Sequence, residues 1–200
     1  MKIKKQNITG IILAGGLSSR LGKDKGLCEF KGRSLVSNAI DTLKPLCEQM
    51  MISANIFPEK YATFGLPVIA DEKPGIGPLG GIYTCLKKST TQHNLVLSCD
   101  TPFVNAAVFE YLLEKVNNEQ VVTPSHETFL IEPLSAYYNT NVIGDMEIAI
   151  RNRNYKMMDF FKQIRFKSVN LDKNLAFFTE YLFLNVNTPK DLEEANSISF

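Results

Sequence analysis

Histidine is almost missing from this chain. Only His93 and His126 occur among 200 residues, which leaves very little from which to build a zinc site or a histidine-based catalytic triad. Cysteine is sparse as well: Cys28, Cys47, Cys85 and Cys99 show no C-x-x-C spacing, and each sits among apolar neighbours. They read as reduced core thiols of a cytoplasmic protein, not as disulfide partners or metal ligands. No stretch approaches the roughly eighteen consecutive apolar residues of a membrane span, so no membrane segment is expected. Met1-Lys2-Ile3-Lys4-Lys5 followed by Ile11-Ile12-Leu13-Ala14-Gly15 imitates a signal peptide, but the apolar run is short and Gln6, Asn7 and Thr9 interrupt it. A first β-strand accounts for it better. A net charge of +1 carries little attraction for a polyanion, so neither nucleic acid nor an anionic membrane surface is expected as a partner.

What is present is ordinary, with one skew. Hydrophobic content of 44% and charged content of 22% lie near the globular average, which excludes disorder, coiled coil and collagen. Area scaling leaves roughly 9,400 Å² exposed of roughly 32,000 Å² in the extended chain, so about 70% can be buried without disulfides or a structural metal. With no repeat, linker or low-complexity tract, residues 1–200 read as one domain. The skew is glycine: of 12 residues, four lie between Gly75 and Gly81 and four more between Gly15 and Gly26.

Strands and helices alternate along the chain. Ile8 to Ala14 reads as a buried strand ended by Gly15-Gly16. Ser34 to Leu46 fits an amphipathic helix, Met50 to Ser53 and Pro67 to Ala70 short strands, and Leu79 to Lys88 a helix. Leu95 to Cys99 is a further strand closed by Asp100, and Asn105 to Val116 a further helix. The expected fold is therefore α/β with a mostly parallel sheet. After Val121 the rhythm changes. Val121 to Pro124 and Phe129 to Tyr138 read as strands about a polar turn, a hairpin-like insertion, followed by helices near 143–151 and 156–164. Thr188-Pro189-Lys190-Asp191 reads as a helix start, with threonine capping, proline at the first helical position and an acid three residues after the cap.

The segment Leu13-Ala14-Gly15-Gly16-Leu17-Ser18-Ser19-Arg20-Leu21-Gly22-Lys23-Asp24-Lys25-Gly26 leaves the carboxyl end of the first strand, where open α/β sheets bind ligands. Glycines there let backbone N–H groups surround phosphate oxygens, and Arg20, Lys23 and Lys25 add positive charge. It is not a Walker A loop: Gly16 to Gly22 is one residue too long, and Asp24 stands where the magnesium-binding hydroxyl belongs. Gly75-Ile76-Gly77-Pro78-Leu79-Gly80 matches G-x-G-x-x-G by letter, with Asp100 twenty residues beyond Gly80. For a dinucleotide fingerprint the context is poor. Asp71 to Pro74 separates these glycines from the preceding strand, and Pro78 removes an N–H near the phosphate contact. Asp71 and Asp100 each end a strand, on the same edge of a parallel sheet as the Gly15 loop. Taken alone, either is a helix cap or a loop residue. Together with the loop they suit Mg²⁺ held by carboxylate and phosphate oxygens, and a metal-assisted transfer of a phosphate-bearing group.

Leu13-Ala14-Gly15-Gly16-x-Ser18-x-Arg20-x-Gly22-x-Asp24-Lys25 resembles the N-terminal signature of nucleotidyltransferases. Ile52-Ser53-Ala54-Asn55, Gly77-Pro78-Leu79-Gly80-Gly81, Cys99-Asp100-Thr101-Pro102-Phe103 and Asn185-Val186-Asn187-Thr188-Pro189 follow in an order similar to that of the molybdenum cofactor guanylyltransferases of the MobA type. The resemblance spans about residues 8 to 195. It implies a Rossmann-like three-layer sandwich that transfers GMP from GTP to the terminal phosphate of molybdopterin, with Mg²⁺ required and pyrophosphate released. By motif, Leu13, Ala14, Gly15 and Gly16 would wrap the nucleotide, and Arg20 and Lys25 would bind its phosphates. Asn55 and Asp71 would contact guanine or ribose, and Asp100 would hold Mg²⁺ by the α-phosphate. Asn185 and Asn187 would lie on the acceptor side. The second glycine cluster becomes a base-side loop. The nucleotide half would cover about 8–118 and the acceptor half about 119–200, with GTP and molybdopterin as small-molecule partners and transient contact with molybdenum-insertion or molybdoenzyme proteins. Residues 121–181 match only loosely, with Glu132-Pro133-Leu134 in place of a more polar pattern. Transfer of CMP to molybdopterin, or of a nucleotide to a sugar or polyol phosphate, is the nearest alternative; a non-catalytic nucleotide sensor is a further one.

Overall fold

The first apolar run forms β1 (Ile8–Leu13), buried along its whole length, in the computed structural model of the chain, which describes residues 3–14, 24–126 and 130–199. A single 3₁₀ turn, Lys25–Leu27, leads to a small ribbon of β2 (Glu29–Phe30) and β3 (Arg33–Ser34), then α1 (Leu35–Leu43). α1 begins where the Ser34 side chain caps the Ser37 N–H, and it stops short of the expected Leu46 because Pro45 cannot continue it. The chain continues through β4 (Gln49–Ser53), α2 (Pro58–Ala62), β5 (Val68–Ile69), α3 (Pro78–Lys88), β6 (His93–Ser98) and α4 (Ala106–Lys115). β7 (Val121–His126), β8 (Leu130–Ile131), β9 (Ser135–Asn139), α5 (Ile143–Arg151), α6 (Met157–Phe161), β10 (Phe166–Asn170) and α7 (Pro189–Ser197) complete it.

The main sheet runs in the order β10-β7-β9-β6-β1-β4-β5, with β8 paired to β7. β5, β4, β1 and β6 are mutually parallel, as is the β10–β7 pair. β9 runs antiparallel to both β6 and β7. The hairpin expected after residue 121 is present, and its return arm is built into the sheet between β6 and β7. The expected strand from Phe129 to Tyr138 is broken, because Glu132-Pro133-Leu134 separates β8 from β9 and proline has no N–H for the ladder. β10, a half-exposed strand at the end of the sheet, has no counterpart in the sequence reading.

Alternation along each strand sends side chains to two cores. Ile8 and Ile12 of β1 join α1 and α4 on one face, with Leu35, Val36, Val108 and Phe109 fully buried. Ile11 and Leu13 join α3, α5 and α6 on the other, through Leu79, Ile82, Met146 and Phe160. The result is the three-layer α/β sandwich expected from sequence. The chain adds β4 and β5 on one side of β1, then crosses back to place β6 on the other. The topological switch point therefore falls between the carboxyl ends of β1 and β6, where open sheets of this kind leave a crevice for ligands.

Candidate active site

A cavity of about 250 Å³ occupies that crevice. Leu13 and Ala14 from the end of β1, Ser98 and Asp100 from the end of β6, and Lys25, Asp71 and Gly81 contribute to its wall. The strand ends are fastened to one another by the backbone: Ala14 N–H donates to the Ser53 carbonyl at 2.9 Å, and Cys99 N–H to the Leu13 carbonyl at 3.1 Å. Three neighbouring strands thus deliver their last residues to one place.

Lys25 is held there from two directions. Its ammonium donates to Asp100 Oδ2 at 2.8 Å and to Asn187 Oδ1 at 2.7 Å. The lysine and aspartate side chains are 13% and 20% exposed, so the pair is partly desolvated yet open to the cavity. An ammonium has three N–H donors, and these two bonds leave one for a substrate oxygen. Asn187 is positioned by the start of α7. Asp191 accepts from the backbone N–H of Asn187 and of Thr188, each at 2.8 Å, and the Thr188 hydroxyl accepts from Asp191 N–H. This is the reciprocal capping box read from Thr188-Pro189-Lys190-Asp191. Those bonds hold the Asp191 carboxyl below the usual carboxylate range. Val186 N–H, one residue before Asn187, donates to the Asp100 carbonyl at 2.8 Å, tying the same segment to the turn that follows β6.

The second group centres on Asp71. The Asn55 amide donates to Asp71 Oδ2 at 2.8 Å, and its oxygen accepts from the Asp71 N–H at 2.7 Å, a closed reciprocal pair. Ser53 Oγ approaches Asp71 Oδ1 at 3.4 Å, leaving that oxygen lightly engaged and facing the cavity. Gly77 starts α3 with φ of 70°, a left-handed backbone that suits glycine, and Pro78 takes the first helical position. The glycine cluster does not stack on the end of a strand as a pyrophosphate cradle would; it brings Gly77, Pro78 and Gly81 to the wall that Asp71 shares. Gly80 is tightly enclosed: a Cβ there would lie 2.8 Å from the Lys73 carbonyl, so alanine requires the 73–76 loop to shift.

Of the residues singled out from sequence, the structure brings together Leu13, Ala14, Lys25, Asp71, Asp100 and Asn187, with Asn55 one step behind Asp71. Asn185 is exposed, and among the described residues no hydrogen bond joins it to the Lys25 cluster. Gly15, Gly16, Arg20 and Lys23 lie outside the described residues. Ser53, which the Ile52-Ser53-Ala54-Asn55 motif contains without implying a role for it, lines the cavity beside Asp71. Tyr61 has no part in the motifs read from sequence; its fully buried side chain brings its hydroxyl 3.3 Å from the Ala14 carbonyl, a contact that nothing local to α2 foretells.

The four cysteines are buried, and no disulfide joins any two of them. Burial pushes the Cys47 and Cys85 thiols up to about 12, so both stay protonated and unreactive. Asp100 offers a hard oxygen donor at the cavity, and among the described residues no group of three or more metal-ligating side chains forms a protein cage. That donor set fits Mg²⁺, which takes one or two carboxylates and completes its shell with phosphate and water. Among the described residues no helix is long and apolar enough to cross a membrane.

A mostly parallel α/β sheet with lysine and carboxylates gathered at its switch point is the architecture of a nucleotide-handling protein. Comparison with known proteins narrows it. Residues 10–167 match the family described as the MobA-like NTP transferase domain. A molybdenum cofactor guanylyltransferase from Shewanella woodyi is 38% identical, with 94% of each chain covered, and one from Polynucleobacter asymbioticus is 33% identical over 96% of each. Among solved structures, molybdopterin-guanine dinucleotide biosynthesis protein A from Archaeoglobus fulgidus superposes with a TM-score of 0.78 at 26% identity, covering 94% of this chain and 96% of that one. The chain belongs to the MobA-like NTP transferase family and is a nucleotidyltransferase.

Proposed function

We propose that this protein transfers GMP from GTP to the terminal phosphate of molybdopterin, forming molybdopterin guanine dinucleotide and pyrophosphate. The observation that carries this reading is the convergence of Lys25, Asp100 and Asp71 on one switch-point cavity in a chain of this family. The acceptor phosphate oxygen attacks the α-phosphorus of GTP in line with the bond to the departing pyrophosphate. One P–O bond forms and one breaks, and no side-chain nucleophile is needed. The backbone at Leu13 and Ala14 lies along the nucleotide, with Gly15, Gly16 and Arg20 continuing that binding segment. Lys25 gives its remaining N–H to a phosphate oxygen whose charge grows in the transition state. Asp71, held by Asn55, offers its lightly engaged oxygen to the N–H donors of guanine or to ribose. Mg²⁺, with Asp100 as its protein ligand, would supply charge neutralisation at the phosphates.

Residues 8–118 supply the nucleotide side and 119–200, including Asn185, the acceptor side. Four buried thiols suit a reducing, cytoplasmic setting. The test is pyrophosphate release from GTP and Mg²⁺ with and without molybdopterin. Release that needs molybdopterin and is specific to GTP is expected. Equal release with CTP, or with sugar phosphates as acceptors, would overturn the assignment.

A further inference from the structure

Tyr61 takes no part in the chemistry outlined above, yet its hydroxyl lies beneath the phosphate side of the site. The residue is on α2 and its side chain is fully buried. The hydroxyl lies 3.3 Å from the Ala14 carbonyl and hydrogen bonds to Asp24 Oδ1. Ala14 follows the last residue of β1, and Asp24 immediately precedes Lys25. One phenol oxygen therefore touches both the exit of the strand and the residue that introduces the lysine.

Three further details fit this arrangement. Asp24 Oδ1 also accepts from the Gly26 N–H at 3.2 Å, capping the Lys25–Leu27 turn. Gly26 leaves room for the phenol: a Cβ there would sit 2.5 Å from the tyrosine oxygen. Burial, with the Asp24 carboxylate beside it, holds the phenol well above its ordinary titration range, so the hydroxyl keeps its proton. A phenol has one proton to give, and the carboxylate is the stronger acceptor, which makes the Ala14 approach the weaker of the two contacts.

We propose that Tyr61 is a positioning residue for the nucleotide phosphates: by fixing Asp24 beside the end of β1, it sets where Lys25 presents its ammonium. This rests on the assignment of Lys25 to phosphate binding. It adds a residue from a separate element, 36 positions further along the chain, to the phosphate side of the site.

Tyr61→Phe removes the oxygen and little else. KM for GTP rises about tenfold, the order that a hydrogen bond to a charged group contributes, while KM for molybdopterin is unchanged. Asp24→Asn, in a half-buried position, weakens the same bond without touching the core and raises KM for GTP alike. The double variant loses no more than the worse single, since both act through one contact. Lys25→Met separates two failures. If it binds GTP like the unaltered protein, the Lys25 assignment falls and the role of Tyr61 with it. If Lys25→Met weakens GTP binding while Tyr61→Phe and Asp24→Asn leave KM for GTP within about twofold, the positioning role alone is overturned. Equal loss of affinity for GTP and molybdopterin, with a lowered Tm, marks Tyr61 as a packing residue and also overturns it.

Discussion

Lys25 Nζ stands 2.8 Å from Asp100 Oδ2 across 75 residues of chain, with both side chains largely withdrawn from solvent. In that setting each charge compensates the other, and removing one leaves its partner exposed to an unfavourable environment. Asp100→Asn is expected to lower kcat by at least about a hundredfold, and Lys25→Met to lower kcat/KM by a similar factor, the scale of losing one charge clamp on a transferring phosphoryl group. Steady-state pyrophosphate release measures both. A change below about threefold in either variant would remove that residue from the reaction.

The Asn55–Asp71 pair predicts a selective effect on the base. Asn55→Ala removes bonds of 2.8 and 2.7 Å that orient the aspartate, without touching the phosphate side. The dissociation constant for GTP should rise about five- to tenfold, roughly the net worth of one ordinary hydrogen bond. Calorimetric titration with GTP and CTP checks it. Equal weakening of both nucleotides would argue that Asp71 reads the ribose or phosphates and not guanine.

Gly81 and Gly144 should respond in opposite directions to the same substitution. Both lie in helices, where replacing glycine by alanine ordinarily stabilises by about 0.5–1 kcal/mol. Nothing lies within 4 Å of a Cβ at Gly144, so Gly144→Ala keeps that gain. A Cβ at Gly81 meets Ser53 Oγ at 2.9 Å and Asp71 Oδ1 at 3.3 Å. Overpacking of that kind costs about 1–3 kcal/mol and outweighs the helical gain. Thermal melts should therefore show Gly144→Ala above the unaltered protein and Gly81→Ala below it, the latter with weakened GTP binding as well.

His93 makes stability depend on pH. Burial lowers its pKa from the ordinary 6.5, while Nδ1 pairs with the Tyr137 hydroxyl at 2.7 Å. Below about 6.5 the unfolded chain takes up a proton that the folded imidazole resists, so acid favours unfolding. The contribution is present above that pH and is lost as pH falls through the lowered folded value. Tm measured from pH 8 to pH 5 should decline below about 6.5. His93→Gln should give a flatter profile over the same range, and identical slopes for the two proteins would contradict the assignment.

Much of the architecture was legible because the responsible chemistry is local. The start of α7 is written in Thr188 and Asp191, whose side chains each accept the other's backbone N–H, and in Pro189, which needs no N–H partner at the first helical position. β1 shows itself as a β-branched run ended by glycine, and α3 as the apolar-periodic segment Leu79 to Lys88, which begins one residue earlier, at Pro78. β10 escaped notice because Phe166-Lys167-Ser168-Val169-Asn170 is a half-exposed edge with one buried residue, too weak a pattern to separate from a loop. The break before β9 follows from Pro133, whose effect depends on which neighbours need an N–H at that point.

By itself, then, the sequence determined most of the longer elements and the segments that carry Lys25, Asp71 and Asp100, but not α2, β2, β3 or β10. Glycine, proline and capping side chains act over a few residues, and a strand end is readable wherever an apolar run stops. Only the tertiary structure decided which of those ends become neighbours. It inserted β9 in reverse between β6 and β7, set Asn187 against Lys25 across 162 residues, and brought Tyr61 up to Asp24. Such meetings depend on apolar surface shared between distant segments, and the burial of one segment is not written in the periodicity of the other.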